Sequence, residues 1–282
     1  MKNYRKVDFR EIGLEVGLIF ARYFLKTDHL HYGYWTDDLD VDLHNLPQAQ
    51  ENHSNFIMSH IPEGIKTILD VGCGAGSFAL KLIENGYQVD CVSPSPILTD
   101  NTRELLGNKS NIFECSFEKL KTEKRYDVIV FSESFQYIPV EKALQNSFTF
   151  LDDGGCLLIC DFFKKDVEGK SPIGGGHKLS EFYDLISRYP FTLVKDIDIT
   201  KKTAPNLTIV HDFLNNVGLP VWNSALGFLK QNYPKFSRFL QWKYRKKIEK
   251  INRKYFSDER NAENFAHFKS YRLLLYKKTG SD

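Results

Sequence analysis

The chain is poor in several things, and each shortage removes a class of answer. Among its 282 residues there are five cysteines, Cys73, Cys91, Cys115, Cys156 and Cys160. None forms a CxxC pair or a zinc-type spacing, which argues against a disulfide scaffold or a metal finger. Most lie in apolar, strand-like runs and read as reduced structural thiols, and no metal site is expected. Charge of one sign is also lacking. With 38 Lys and Arg against 36 Asp and Glu the net charge is +2, far short of the surplus a dedicated nucleic-acid binder carries. No run approaches the roughly 18 consecutive apolar residues of a membrane span. The opening MKNYRKVDFR leads into no signal-type apolar core, so a cytoplasmic protein is expected. There is no internal repeat and no low-complexity tract.

What is present alternates. Apolar residues at helical spacing (Phe9, Ile12, Val16, Ile19, Phe20, Phe24) predict a helix over 8–26, and a second follows over 46–61. Strands are then expected at TILDVG (67–72), YQVDCV, NIFECS (111–116), YDVIVFS (126–132), GGCLLICDFF (154–163), FTLVKDIDIT (191–200) and FKSYRLLLYKK (268–278). Helices over 76–85, 96–106, 140–151 and 178–188 fall between them. Strands alternating with helices imply βαβ units and a largely parallel sheet covered on both faces. One segment breaks the rhythm: residues 202–267 read as helical and separate the last two strands.

The stretch ILDVGCGAGSFALKLIENG is a strand, a turn carrying Gly72, Gly74 and Gly76, and a helix. Such a turn lets backbone approach a ligand closely, and the helix start offers free N–H groups to a carboxylate or phosphate. Alone it is weak, because a plain strand-to-helix turn looks the same. Its context is more specific: Asp70 stands just before the turn, and YDVIVFSES and LDDGGCLLICDF follow at fitting distances. Over roughly residues 60–200 and 268–278 the pattern resembles the class I S-adenosylmethionine (SAM)-dependent methyltransferases. The spacing GCGAG fits less well with the GxGxxG of dinucleotide dehydrogenases. The resemblance implies an α/β fold with a Rossmann-like, seven-stranded, mostly parallel sheet whose last strand is antiparallel. It further implies an N-terminal helical cap over 1–62, a SAM-binding core over 63–201 and 268–282, and a helical lid over 202–267.

Residue roles follow from the same resemblance. Asp70, Gly72, Cys73, Gly74 and Gly76 match the loop that holds the methionine part of SAM. Ser93, with Pro94 after it, stands at the ribose position, and Ser116 with Phe117 matches the loop beside the adenine. Many relatives carry an acid at both of the latter places, and this sequence has neither. A serine hydroxyl serves a ribose diol by weaker, uncharged hydrogen bonds, as in cyclopropane-fatty-acid-synthase-like methyltransferases; the alternative is a decayed site.

Two further clusters bear on chemistry. DHLHYGYW (28–35) resembles the aromatic segment ahead of the SAM loop in lipid and isoprenoid C-methyltransferases. Tyr32, Tyr34 and Trp35 there either wall off a sulfonium by cation–π attraction or staple the N-terminal helices to the domain. His31 is either a base or a hydrogen-bonded structural histidine. Ser132 and Glu133 close the fourth strand, whose C-terminal end faces the ligand crevice of an open α/β sheet. Sterol and geranyl-diphosphate C-methyltransferases place a Glu similarly, so Glu133 either acts on the acceptor or bonds to SAM's amino group. His177, in the GGGH loop, is a further candidate base or a surface cap.

In the 202–267 segment a stripe of Phe236, Phe239, Leu240, Tyr244, Ile248, Ile251 and Tyr255 faces away from a run of Lys and Arg. With Trp222, Phe228 and Trp242 it is expected to roof an apolar pocket over the methyl group, with Tyr32, Tyr34 and Glu133 on the other walls. The basic face either attracts phosphate or an anionic membrane or is simply solvated. The expected activity is SAM-dependent methylation of a small or lipid-like molecule, with no nucleic-acid partner. The alternatives are O- or N-methylation of a polar metabolite and a non-catalytic SAM-binding partner protein.

Overall fold

The computed structural model describes residues 9–255 and 259–280, excluding the side chains of residues 9–11 and 250–255. The side chains of Phe9, Ile251 and Tyr255 in the expected stripes therefore lie outside the described residues. The chain opens with α1 (Phe9–Phe20), a π-turn (Ala21–Leu25) and α2 (Leu46–Met58). It then alternates through β1 (Thr67–Val71), α3 (Ser77–Glu84), β2 (Gln88–Val92), α4 (Pro96–Leu106) and β3 (Ile112–Phe113). Next come β4 (Tyr126–Ser132), α5 (Val140–Phe150), β5 (Leu151–Lys164), α6 (Leu179–Ile186) and β6 (Phe191–Asp198). Helices α7 (Thr200–Thr203), α8 (Pro205–Phe213), α9 (Leu219–Asn232), α10 (Pro234–Tyr255) and α11 (Ala262–Phe268) lead to β7 (Lys269–Lys278).

The seven strands order as β3-β2-β1-β4-β5-β7-β6. All neighbouring pairs are parallel except those of β7, which runs antiparallel to both β5 and β6. Because Val, Ile and Leu point to both faces of β1, β4 and β5, helices must cover both sides, and two cores result. Ile68, Val128, Leu158 and Leu273 pack on one face with α2, α3, α8 and α11. Leu69, Ile129, Phe131 and Leu157 pack on the other with α5 and α6.

Register places the site. Val71 lies opposite Val92, and Asp70 opposite Cys91 and Val130, so the C-terminal ends of β1, β2 and β4 finish together. The residues that follow each strand share one crevice, at the point where the order of strands reverses.

The helices between β6 and β7 divide into two kinds. Helix α8 is part of the core through Leu207 and Ile209, and Phe265 of α11 is wholly buried. Asn206 clasps Gly33 from both sides, accepting its N–H at 2.8 Å and donating to its carbonyl at 2.8 Å. Helix α9 buries no residue, and it packs mainly against α10 and the turn before it. The part that stands free of the core is therefore shorter than the expected 202–267 segment.

Candidate functional site

A cavity of about 740 Å³ opens where β1, β2 and β4 end. Its walls are Asp70–Ala75, Ser93–Ser95, Ser116–Glu118 and Ser132–Ser134. Helix α1 (Gly13, Leu14) and residues 28–31 close it from the N-terminal side. Leu18 holds α1 there by packing with Leu30 against Ala75 and Leu98. Arg22 donates to Asn101 on α4 at 2.8 Å and pairs with Asp28.

The turn after β1 takes its shape from left-handed glycines. Gly72 has φ +80°, and a Cβ there would collide with Ser134. Gly74 has φ +59°, and a Cβ there would meet nothing within 4 Å. Gly72 is thus needed for packing, whereas Gly74 keeps open a cradle that a side chain would fill. Gly76 caps α3 against Thr102 and does not line the cavity.

Two carboxylates face this cavity with work undone. Asp70 is 1% exposed, and its Oδ2 has no partner among the described residues; burial pushes its carboxyl up to about 7. Glu118, on the short turn Phe117–Lys119, likewise buries an Oε2 without a partner. The sequence shows no acid at the matched positions Ser116 and Phe117, yet one stands one residue beyond them. A 3₁₀ turn draws it in, which spacing alone does not signal. Ser93 is 3% exposed, and its Oγ accepts the Ser95 N–H at 3.3 Å, leaving its own O–H free to donate. Cys73, Pro94, Ser116, Phe117 and Ser132 line the cavity as well.

Glu133 sits at the junction of the cavity and the interior. It is a non-glycine residue at φ +55°, a costly conformation for a side-chain-bearing residue. Its N–H donates to the Cys160 carbonyl at 2.9 Å. Its Oε1 accepts the Tyr32 N–H and the Tyr271 O–H, each at 2.7 Å. Burial pushes the carboxyl up to about 8, with nearby Asp161 adding to the rise and the Tyr271 hydrogen bond opposing it. Because Tyr271 gives its only proton to the Glu133 Oε1, the His53 Nε2 at 2.9 Å must donate to the phenol oxygen.

The other expected residues are placed as follows. His31 lines the cavity, but its ring is committed: Nδ1 lies 2.8 Å from the Tyr32 carbonyl, and Nε2 lies 3.1 Å from His29. Burial, with His53 and His29 alongside, holds it well below the usual histidine range, so it is neutral and its lone pair is engaged. Tyr32 contributes backbone to Glu133, while its ring packs with Phe162, Phe265 and Tyr271. Tyr34 stacks on Phe56 at 4.9 Å, and Trp35 is buried beside Ala49 and Ile209. None of these three aromatics lines the cavity; the stapling role weighed for them is the one their packing fits. His177 Nε2 lies 2.9 Å from the Ile138 carbonyl and 3.2 Å from that of Phe135. The roof expected from 202–267 is also absent: no described residue of that segment lines the cavity. On that side Gly13 and Leu14 of α1 line the cavity instead. Among the described residues there is no metal-binding cluster and no helix long and apolar enough to cross a membrane.

Residues 45–259 match the family described as Methyltransferase domain. The malonyl-[acyl-carrier protein] O-methyltransferase 1 of Ilyobacter polytropus is 30% identical over 128 residues, covering 43% of this chain and 48% of that protein. The ubiquinone biosynthesis O-methyltransferase of Rickettsia felis is 29% identical over 141 residues, covering 48% and 58% respectively. The chain thus spans about half the length of these curated relatives. Among solved structures, geranyl diphosphate C-methyltransferase from Streptomyces coelicolor, crystallised with Mg2+, geranyl diphosphate and S-adenosyl-L-homocysteine, superposes with TM-score 0.64. It shares 15% identity and covers 89% of this chain and 90% of its own. The [4+2]-cyclase SpnF gives TM-score 0.66 at 16% identity, covering 95% and 96%. At such identities the likeness is one of fold.

Proposed function

The chain belongs to the methyltransferase-domain family, and on that premise we propose that it transfers the methyl group of SAM to a small-molecule or lipid-like acceptor. One observation carries the reading: Asp70 and Glu118 present partnerless buried carboxylate oxygens to a single cavity that Gly74 keeps open. Buried polar groups are rarely left unsatisfied, and a cofactor bearing a cation, an amine and hydroxyls matches both. When bound, SAM supplies an electrophilic methyl group on a positively charged sulfur.

The residues divide the remaining work. Asp70 and the Gly72–Gly74 backbone would hold the amino-acid end, and Cys73 and Ser132 would shape its seat. Ser93 and Pro94 would meet the ribose, while Ser116, Phe117 and Glu118 would meet the base. Helix α1 and residues 28–31 exclude water from the other side, and this N-terminal segment, rather than the 202–267 insert, is the cover. Glu133, held by Tyr32 and Tyr271, is oriented toward the acceptor, where a carboxylate takes a proton or steadies positive charge. His31 shapes the same wall as a neutral ring.

A second reading, O- or N-methylation of a polar metabolite, draws on one observation: a Glu133 carboxyl near neutrality is placed to act as a base. The test is direct. SAM binding is followed by calorimetry, and S-adenosylhomocysteine release is followed over isoprenoid, fatty-acyl and phenolic acceptors. Binding together with acceptor-dependent release is expected. A folded protein that does not bind SAM would overturn the proposal.

A further inference from the structure

Helix α10 concentrates charge and exposed aromatics that the cavity does not use. Across Pro234–Tyr255 there are nine Lys and Arg against Glu249 alone, although the whole chain is only +2. The rest of the chain is therefore net acidic, and the positive charge is gathered in one helix. The aromatics are not hidden beneath it. Phe236, Phe239 and Trp242 are exposed, Trp242 to 76%. At about 100° per residue they sweep one arc of the helix, and Lys235, Lys243 and Lys246 fall within that arc. Lys243 lies over the Phe239 ring at 5.6 Å, and Phe239 and Trp242 are neighbours at 6.3 Å. Basic and aromatic side chains thus share one face instead of separating into a buried stripe and a wet one. Helix α9 adds exposed apolar residues of its own, Val221, Trp222 and Phe228.

A second apolar surface lies on α1, where Ile12, Val16 and Ile19 are exposed, and on the π-turn after it, where Phe24 is exposed. Phe20 meets Phe213, at the end of α8, edge-on at 4.9 Å, joining this helix to the base of the insert. Leu14 on α1 is both exposed and part of the cavity wall.

We propose that helices α9 and α10 and the outer face of α1 dock this protein on an anionic lipid surface, with the cavity entrance beside Leu14 facing the lipid. Lysines next to Trp and Phe suit the layer between headgroups and acyl chains, where rings insert and ammonium groups meet lipid phosphates. The helices lie on such a surface without crossing it, in keeping with the lack of a spanning helix among the described residues. A carrier protein of acidic surface would satisfy the charge, but it leaves this much aromatic surface unused. The docking rests on the proposed methyl transfer only for its purpose, the delivery of a lipid-like acceptor.

The experiment uses the full chain with vesicles of phosphatidylcholine alone and of equimolar phosphatidylcholine and phosphatidylglycerol. Co-sedimentation and a blue shift of tryptophan emission are expected with the anionic vesicles only, both weakening as salt rises. The double variant Lys243→Glu/Lys246→Glu should reduce partitioning by roughly twentyfold or more. Phe239→Ser/Trp242→Ser should reduce it by about tenfold or more, with charge untouched. SAM calorimetry on every variant should match the parent. Equal partitioning into both vesicle types, or into neither, overturns the proposal. So does self-association that hides Trp242 in lipid-free buffer, or binding of an acidic acyl-carrier protein with no binding of vesicles. Vesicle binding by a protein that does not bind SAM would leave the docking standing and remove the methyl-transfer reading instead.

Discussion

The crevice at the end of β1 and the pair of helices α9 and α10 are opposite failures of self-sufficiency. In the crevice, Asp70 and Glu118 bury carboxylate oxygens that meet no donor among the described residues. On α10, Phe236, Phe239 and Trp242 are left exposed by the described residues. An unpaired buried polar atom costs about 1–3 kcal/mol, and a large exposed ring forgoes a comparable gain from burial. Each deviation describes what is missing: a donor-rich cation for the first, an apolar layer with negative headgroups for the second. The residues a chain leaves unsatisfied are thus more informative about its ligands than the ones it satisfies.

The strongest way to break the comparison is to fill the cradle. Gly74→Val puts a β-branched side chain at a left-handed φ and into the open space over the turn. It should cost about 1–3 kcal/mol of stability and lower SAM affinity by roughly a hundredfold or more, since backbone can no longer approach the ligand. Thermal unfolding and calorimetry separate the two effects. Unchanged binding in a folded variant would place the donor elsewhere. Glu133→Gln should come next. The amide oxygen still accepts from Tyr271 and Tyr32, so the fold should hold, while turnover falls on the order of a hundredfold. SAM affinity that stays within a few-fold assigns Glu133 to the acceptor; a matching loss of affinity makes it a donor ligand.

Protonation sharpens the contrast further. Asp70 and Glu133 titrate near 7 and 8 in the ligand-free fold, well above ordinary carboxyl values. The folded state therefore holds protons that the unfolded chain has released. Their contribution to stability is full below the ordinary carboxyl range and is lost as pH rises through about 7 to 8. A cationic ligand prefers the ionised form of Asp70, so SAM affinity should rise as pH passes through about 7, by up to about tenfold per pH unit. Binding near neutrality should then release protons. Calorimetry in buffers of different ionisation heat measures that release, and Asp70→Asn should remove it. A pH-independent affinity would count against a carboxylate-lined donor seat. Ser93→Ala should give the smallest change, about 1 kcal/mol of SAM affinity, because one neutral hydrogen bond is lost. A loss of tenfold or more would mean that this hydroxyl matters beyond a single bond.

Much of this could be read from residues alone, and the exceptions have physical reasons. The strands are legible because a parallel sheet buried on both faces writes continuous apolar runs, as in TILDV and YDVIVFS. Helix α4 starts and stops where Ser95, Pro96 and Gly107 say it should. The glycine turn is legible because few other sequences make one. Glu118 is not, because only a short 3₁₀ turn brings it to the cavity beside Ser116. The left-handed backbone of Glu133 carries no local signal; FSES reads as an ordinary strand end. The aromatic content of the insert suggests a roof, whereas which helix covers the crevice depends on long-range packing such as Leu18 against Leu98. Tyr32 and Tyr34 show the same limit: ring chemistry is visible in sequence, but the direction in which the ring points is not.

The place of β7 in the sheet also fixes an order of events. Among the described strands β6 pairs with β7 alone, and β7 is made only after the whole helical segment that follows β6. During synthesis β6 therefore waits unpaired, and β5 keeps an open edge through all of α7 to α11, a period of exposure to mispairing. The glycine turn and its crevice depend on β1, β2 and β4, which are in place by then. Tyr271, which secures the Glu133 carboxylate, arrives with β7 itself. A nascent chain would thus form the glycine-turn crevice early and gain the Tyr271 partner of Glu133 last.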